Sequence, residues 1–291
     1  MNREQAARLK DELTALYNDL SKHSVYQSLP DFVANALGLQ FPIQEEWRGD
    51  RVRWQYLAGR LASRELESWC DFCANTGFFS LTLAHDSPAR RVLAVEANSS
   101  HARFIERVRD AFGLSNLTVS RQAVGIDGLP GLGEHDVLLH LNVLHHAGAD
   151  FDRGRVTGVD DFLPYAKDYL ARLRGIARVL VFHLGSNLWG DKSRPIVPAA
   201  DDEAKLRLFS GLLRDAGWRI RDIAYAARPG AGAIHYRPLA AEAVAALAGE
   251  AGPPAGLLHE ALSGYSLDRH VGEFYRRPMF ICTGPDDGVR L

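Results

Sequence analysis

Cysteine is scarce in this 291-residue chain: Cys70, Cys73 and Cys282 are all it has. Three is an odd number, and too few for the disulfide framework of a small secreted fold. Cys70 and Cys73 make one Cys-x-x-Cys pair with no second pair, so a structural zinc site lacks a ligand set and no metal is expected. Free cysteines of this kind behave as small buried hydrophobes. Surplus charge is also missing, since 34 Lys and Arg face 36 Asp and Glu. General nucleic-acid binding calls for a basic excess, so the balance argues against that partner. No run approaches the ~20 apolar residues of a membrane span. Residues 1–5 lack the basic-then-apolar pattern of a leader. A cytoplasmic chain with no membrane partner is the expectation.

Apolar residues are plentiful, at 46% of the chain. That supports a large buried core and excludes disorder as the dominant state. Residues 2–21 read as a helix, because Leu9, Leu13, Leu16, Tyr17 and Leu20 recur at steps of three and four. Pro30 and Asp31 open a second helix that Gly38 can end. Residues 41–49, with Pro42, form a connector, and 51–67 form a third helix with Trp54, Leu57, Ala58 and Leu61 inward. Residues 1–59 are therefore expected to form an N-terminal helical cap on a domain spanning 60–291.

From residue 68 strands and helices alternate. Short apolar runs at 69–72, 92–95, 117–119, 137–141, 179–182, 218–224 and 278–282 read as seven strands. Helices are expected at 78–84, from Asn98 or Ser99 to 112, from an Asp160 cap to about 174, and at 202–215. Two more, at 239–248 and 255–262, fall in a helical insertion at 231–275. The alternation predicts an α/β fold with a doubly wound, mostly parallel, Rossmann-like sheet. Ligands bind such sheets at the carboxyl ends of the strands.

The turn Asp71-Phe72-Cys73-Ala74-Asn75-Thr76-Gly77 follows a strand and opens a helix. Small residues there let backbone N–H groups approach a ligand. The next strand ends at Glu96, whose carboxylate can accept both hydroxyl protons of a ribose. A Gly-x-Gly-x-x-Gly run is absent, which argues against a nicotinamide dinucleotide.

This segment resembles motif I of the class I S-adenosylmethionine-dependent methyltransferases, which read Asp-x-Gly-x-x-x-Gly at the turn. The stretch ending Asn142-Val143-Leu144-His145-His146 resembles their fourth-strand motif. The match covers about residues 60–225 and the last strand. It implies S-adenosylmethionine as cosubstrate. Asp71 then lies near the methionine amino group, Cys73, Ala74, Asn75 and Gly77 form the backbone cradle, and Glu96 holds the ribose. Ala97 or Asn98 flanks the adenine, with Gln122 and Ala123 at its edge. His140 and Asn142 border the methionine portion. Cys73 departs from the pattern, because a glycine stands there in the family and a Cβ narrows the cradle.

Methyl transfer from a sulfonium is an in-line displacement, so the protein mainly aligns the reactants and excludes water. His145 or His146 can serve as a base, since histidine titrates near neutrality. His183, Lys192 and Arg194, after the fifth strand, are candidate acceptor ligands, the two cations for an anionic group. The cap and the 231–275 insertion are read as covers of the acceptor side. The cap supplies Tyr17, Tyr26, Trp47, Trp54 and Tyr56, while Arg51, Arg53 and Arg60 are read as solvated helix faces. The leading reading is methylation of an oxygen or nitrogen on a small or medium-sized metabolite. One alternative is an RNA (tRNA) methyltransferase using a local patch of Arg172, Arg174, Lys192 and Arg194. The other is a noncatalytic scaffold, which Cys73 leaves open.

Overall fold

A computed structural model describes residues 2–19, 21, 26–41, 49–228, 232–265 and 273–285. Leu20, Trp47 and most of the 41–49 connector lie outside them. The chain begins with α1 (Arg3–Tyr17), α2 (Asp31–Leu37) and α3 (Asp50–Arg60). Asn2 caps α1 by accepting from Gln5 N at 2.9 Å, while the Gln5 side chain accepts from Asn2 N at 2.9 Å. α1 stops at Tyr17 and α3 at Arg60, short of the expected ends at 21 and 67.

Next come β1 (Ser68–Phe72), α4 (Phe78–Asp86), β2 (Arg91–Val95), α5 (Ser99–Phe112), β3 (Leu117–Ser120) and β4 (His135–Leu141). α6 (Val159–Leu173), β5 (Ala177–His183), α7 (Asp202–Asp215), β6 (Arg219–Ala227) and β7 (His235–Pro238) follow. α8 (Ala241–Ala248), α9 (Leu257–Ser263) and β8 (Met279–Thr283) complete the order. Asn98 caps α5 by accepting from Ser100 N and His101 N, and a left-handed Gly113 ends it. The expected Asp160 cap of α6 is absent: Gly158 holds that position, and Asp161 accepts from Thr157 N and Oγ1 instead.

The sheet has eight strands, not seven, in the order β3-β2-β1-β4-β5-β8-β6-β7. β1 to β5 are mutually parallel; β8 runs antiparallel between β5 and β6, and β7 pairs antiparallel with β6 at the edge. β7 lies in the region read as wholly helical. It is four residues long and ends at a proline, which only an edge strand tolerates. Side chains alternate across the sheet. Cys70, Phe72, Leu138, Leu180, Phe182 and Phe280 face one core with α6 to α9. Trp69, Val137, Leu139, Val179, Val181 and Ile281 face the other, which α1 to α5 cover. The cap is thus one layer of the core, and it sits beside the carboxyl ends of β1 and β2. No described helix is long and apolar enough to cross a membrane.

Candidate active site

A cavity of about 340 Å³ opens where β1, β2 and β4 end. Its floor is the turn after β1. Cys73 (φ 58°), Asn75 (φ 53°) and Gly77 (φ 79°) are all left-handed there, with Ala74 N donating to Val95 O at 3.0 Å. Cys73 and Asn75 line the cavity, whereas Ala74 and Gly77 are buried behind it. A Cβ on Gly77 would stand 2.7 Å from Ile105 Cγ1, so that glycine serves the packing of α4 on α5. The Cys73 side chain is open to solvent at the cavity.

Asp71 lies in the wall and accepts from Ser80 N at 3.0 Å. Burial, with Glu96 and Asp50 nearby, outweighs that donor and pushes the carboxyl up to about 7. Glu96, also buried, accepts from Asn75 N at 2.7 Å and Asn98 N at 2.8 Å. One carboxylate thereby bridges the turns after β1 and β2. Beyond it lie Ala97, Asn98 and His101. Asn98 Nδ2 donates to Asp19 Oδ2 at 2.8 Å, which ties the cap just after α1 to this wall.

After β4, Asn142 is left-handed (φ 61°) and accepts from Arg277 Nη1 at 2.8 Å. His146 lines the cavity with Nδ1 3.3 Å from Asp150 Oδ2. Asp150 and Phe151 continue the wall.

Several predicted site residues stand elsewhere. His140 is fully buried and stacks on Phe72 and Phe182, and burial lowers it to about 3. His145 is buried behind His146, where its Nδ1 accepts from Gly185 N at 3.3 Å. Burial, then the neighbouring His146, holds it well below the usual histidine range. His183 is buried with Nε2 3.1 Å from Arg277 O. Gln122 and Ala123 are exposed and do not line the cavity. Lys192 and Arg194 are exposed and outside it; Arg194 pairs with Asp191 at 3.4 Å and lies 4.6 Å over the Trp189 ring. Arg172 is likewise engaged, with Asp168 at 3.3 Å and Asp127 at 3.4 Å.

The cap reaches further into the cavity than its sequence suggests. Tyr26, Gln27, Asp50 and Arg53 all line it. Arg53 is 3% exposed rather than solvated, and donates from Nη2 to Asp50 Oδ1 at 2.9 Å. The available signal was the Asp-x-x-Arg spacing, which puts both side chains on one helix face. Arg60 and Arg51 pair with Asp222 and Asp31 at the surface.

No family model matches the chain, and no curated protein matches it. Among solved structures it is similar to WbdD, a bifunctional kinase-methyltransferase, with a TM-score of 0.50 and 16% identity over 93% of this chain and 46% of that one. The chain has the class I methyltransferase fold. It spans about half the length of WbdD. Lower similarity links it to a SAM-dependent methyltransferase from Aquifex aeolicus (14% identity, 64% and 87% of the two chains, TM-score 0.42). The N-terminal domain of EvdMO1 with SAH bound is another such neighbour (15%, 98% and 97%, 0.41).

Proposed function

We propose that this protein is an S-adenosylmethionine-dependent methyltransferase acting on an oxygen or nitrogen of a small or medium-sized metabolite. The observation that carries the reading is one cavity joining the strained turn after β1, the Glu96 carboxylate and the His146–Asp150 pair. Its donor set fits the cosubstrate: a carboxylate ends β2 where a ribose diol would be held, and buried acids suit a cationic ligand. The cosubstrate supplies an activated methyl group on sulfur.

The residues of the chain do the rest. Glu96 would accept the ribose hydroxyls, and Asp71 the amino group. Cys73 and Asn75 present the turn. Asp150 orients His146, which takes the proton of the acceptor at Nε2 when the acceptor arrives protonated. The cap and Phe151 keep water from the reacting end.

Calorimetry with S-adenosylhomocysteine tests the reading. One-to-one binding that Glu96→Ala weakens about tenfold to hundredfold is the expected result, as for a lost hydrogen bond to a charged group. No binding to the folded wild type would overturn it.

A further inference from the structure

We propose that Arg53 holds the α-carboxylate of the methyl donor, making the N-terminal cap part of the donor site. The proposal deepens the donor reading above and rests on it. An amino-acid zwitterion presents an ammonium and a carboxylate on one carbon, so its site needs an anion and a cation side by side. The cavity has that arrangement at its cap end. Asp71, Asp50 and Arg53 line the same cavity, and Arg53 is bonded to Asp50.

The charges leave little choice of partner. Asp50, Asp71, Glu96 and Asp150 all line the cavity. Arg53 is the one Lys or Arg side chain lining it among the described residues. A donor carboxylate among those acids needs this guanidinium.

Arg53 is also held as a binding group is held. Asp50 Oδ1 takes its Nη2 at 2.9 Å, while Asp50 Oδ2 accepts from Ser28 N at 2.9 Å. The guanidinium lies 5.6 Å from the centroid of Phe79, in the first turn of α4. Both partners of the pair are 4% exposed in their side chains. A buried ion pair is weak evidence for stability, because well-packed apolar residues often serve as well. Arg53 lines the cavity with its guanidinium already held in place, so a ligand carboxylate entering there meets a fixed cation.

The test compares three ligands by calorimetry. S-adenosylmethionine carries both groups of the amino acid. Decarboxylated S-adenosylmethionine keeps the ammonium alone. 5′-Methylthioadenosine has the nucleoside and neither group. Wild-type protein should bind the first at least tenfold more tightly than the second. Arg53→Met should erase that preference and leave 5′-methylthioadenosine affinity unchanged. If the single variant misfolds because Asp50 is stranded, Asp50→Asn/Arg53→Met removes both charges and is read the same way. Equal binding of the first two ligands by wild type overturns the proposal while the donor reading stands. So does a folded variant that keeps the preference. Failure of all three ligands to bind overturns the donor reading, and this proposal with it.

Discussion

Gln27 reaches across 51 positions to accept the backbone N–H of Phe78 on its side-chain oxygen at 3.0 Å. Phe78 opens α4 behind Gly77, which has no side chain with which to cap the helix. The cap therefore satisfies a helix donor that the local sequence leaves bare. Gln27→Ala should cost roughly 0.5–2 kcal/mol, the range of a lost N-cap. Urea unfolding measures it, and an unchanged midpoint would separate the cap from the stability of α4.

Glu96 has a structural task beside its ligand task. Glu96→Ala strands the N–H groups of Asn75 and Asn98, so it should destabilise the protein by roughly 1–3 kcal/mol with no ligand present. Thermal denaturation of the ligand-free variant checks this. A variant as stable as wild type would show that the two turns do not depend on the bridge.

Cys73 adopts a backbone angle that disfavours a Cβ by roughly 1–2 kcal/mol. Cys73→Gly relieves that strain and adds chain entropy of about 0.5–1 kcal/mol to the unfolded state. The expected net result is unchanged or slightly higher stability with donor affinity retained. Cys73→Val should be clearly destabilising, because β-branching at positive φ is worse still. Complete loss of turnover in a folded Cys73→Gly, or stoichiometric zinc in the wild type, would instead give the thiol a redox or metal role.

Asp71 makes donor binding depend on pH. Burial first, then Glu96 and Asp50, raise its carboxyl to about 7 against the Ser80 N–H donor, and a cationic ligand favours its ionised form. Affinity should fall roughly five- to tenfold from pH 7.5 to pH 6 as the carboxyl protonates. The folded pKa is above the unfolded one, so this group's contribution to stability is lost as pH rises from the ordinary carboxylate range to about 7. Asp71→Asn should therefore flatten the binding profile, weaken the donor, and raise Tm above pH 7. A steep binding profile retained in Asp71→Asn would move the titration to another group.

The two adjacent histidines should separate cleanly. His146→Ala should lower turnover by roughly 10²–10⁴-fold if it acts as a base, with donor Kd unchanged. His145→Ala should instead act on folding, because it empties a buried site packed against Gly185. Lys192→Ala should leave the acceptor KM unaltered, since that side chain is outside the cavity. Steady-state kinetics beside a melting curve distinguishes the three outcomes.

The parallel strands were legible because they are buried on both faces: residues 92–95 and 137–141 are apolar at nearly every position. The β1 turn and Glu96 were legible because their chemistry and their place in the chain agree. Arg53 was hidden, because a charged residue on a helix reads as solvent-facing until a second layer packs over it. β7 was hidden by its length and its proline. Loop direction was hidden as well. Lys192 and Arg194 leave the expected sheet edge, but both are exposed and neither lines the cavity, while Trp189 of their loop donates to Ala147 O at 2.7 Å.

The place of β8 has a consequence for how the chain is made. Synthesis delivers β6 and β7 well before β8, yet β8 is the strand that joins them to β5. Until residues 279–283 leave the ribosome, β5 and β6 each present an unpaired, apolar edge, the kind of surface that recruits other chains. Stalled or truncated products lacking that segment should therefore be the aggregation-prone species, even though they contain every residue that lines the cavity.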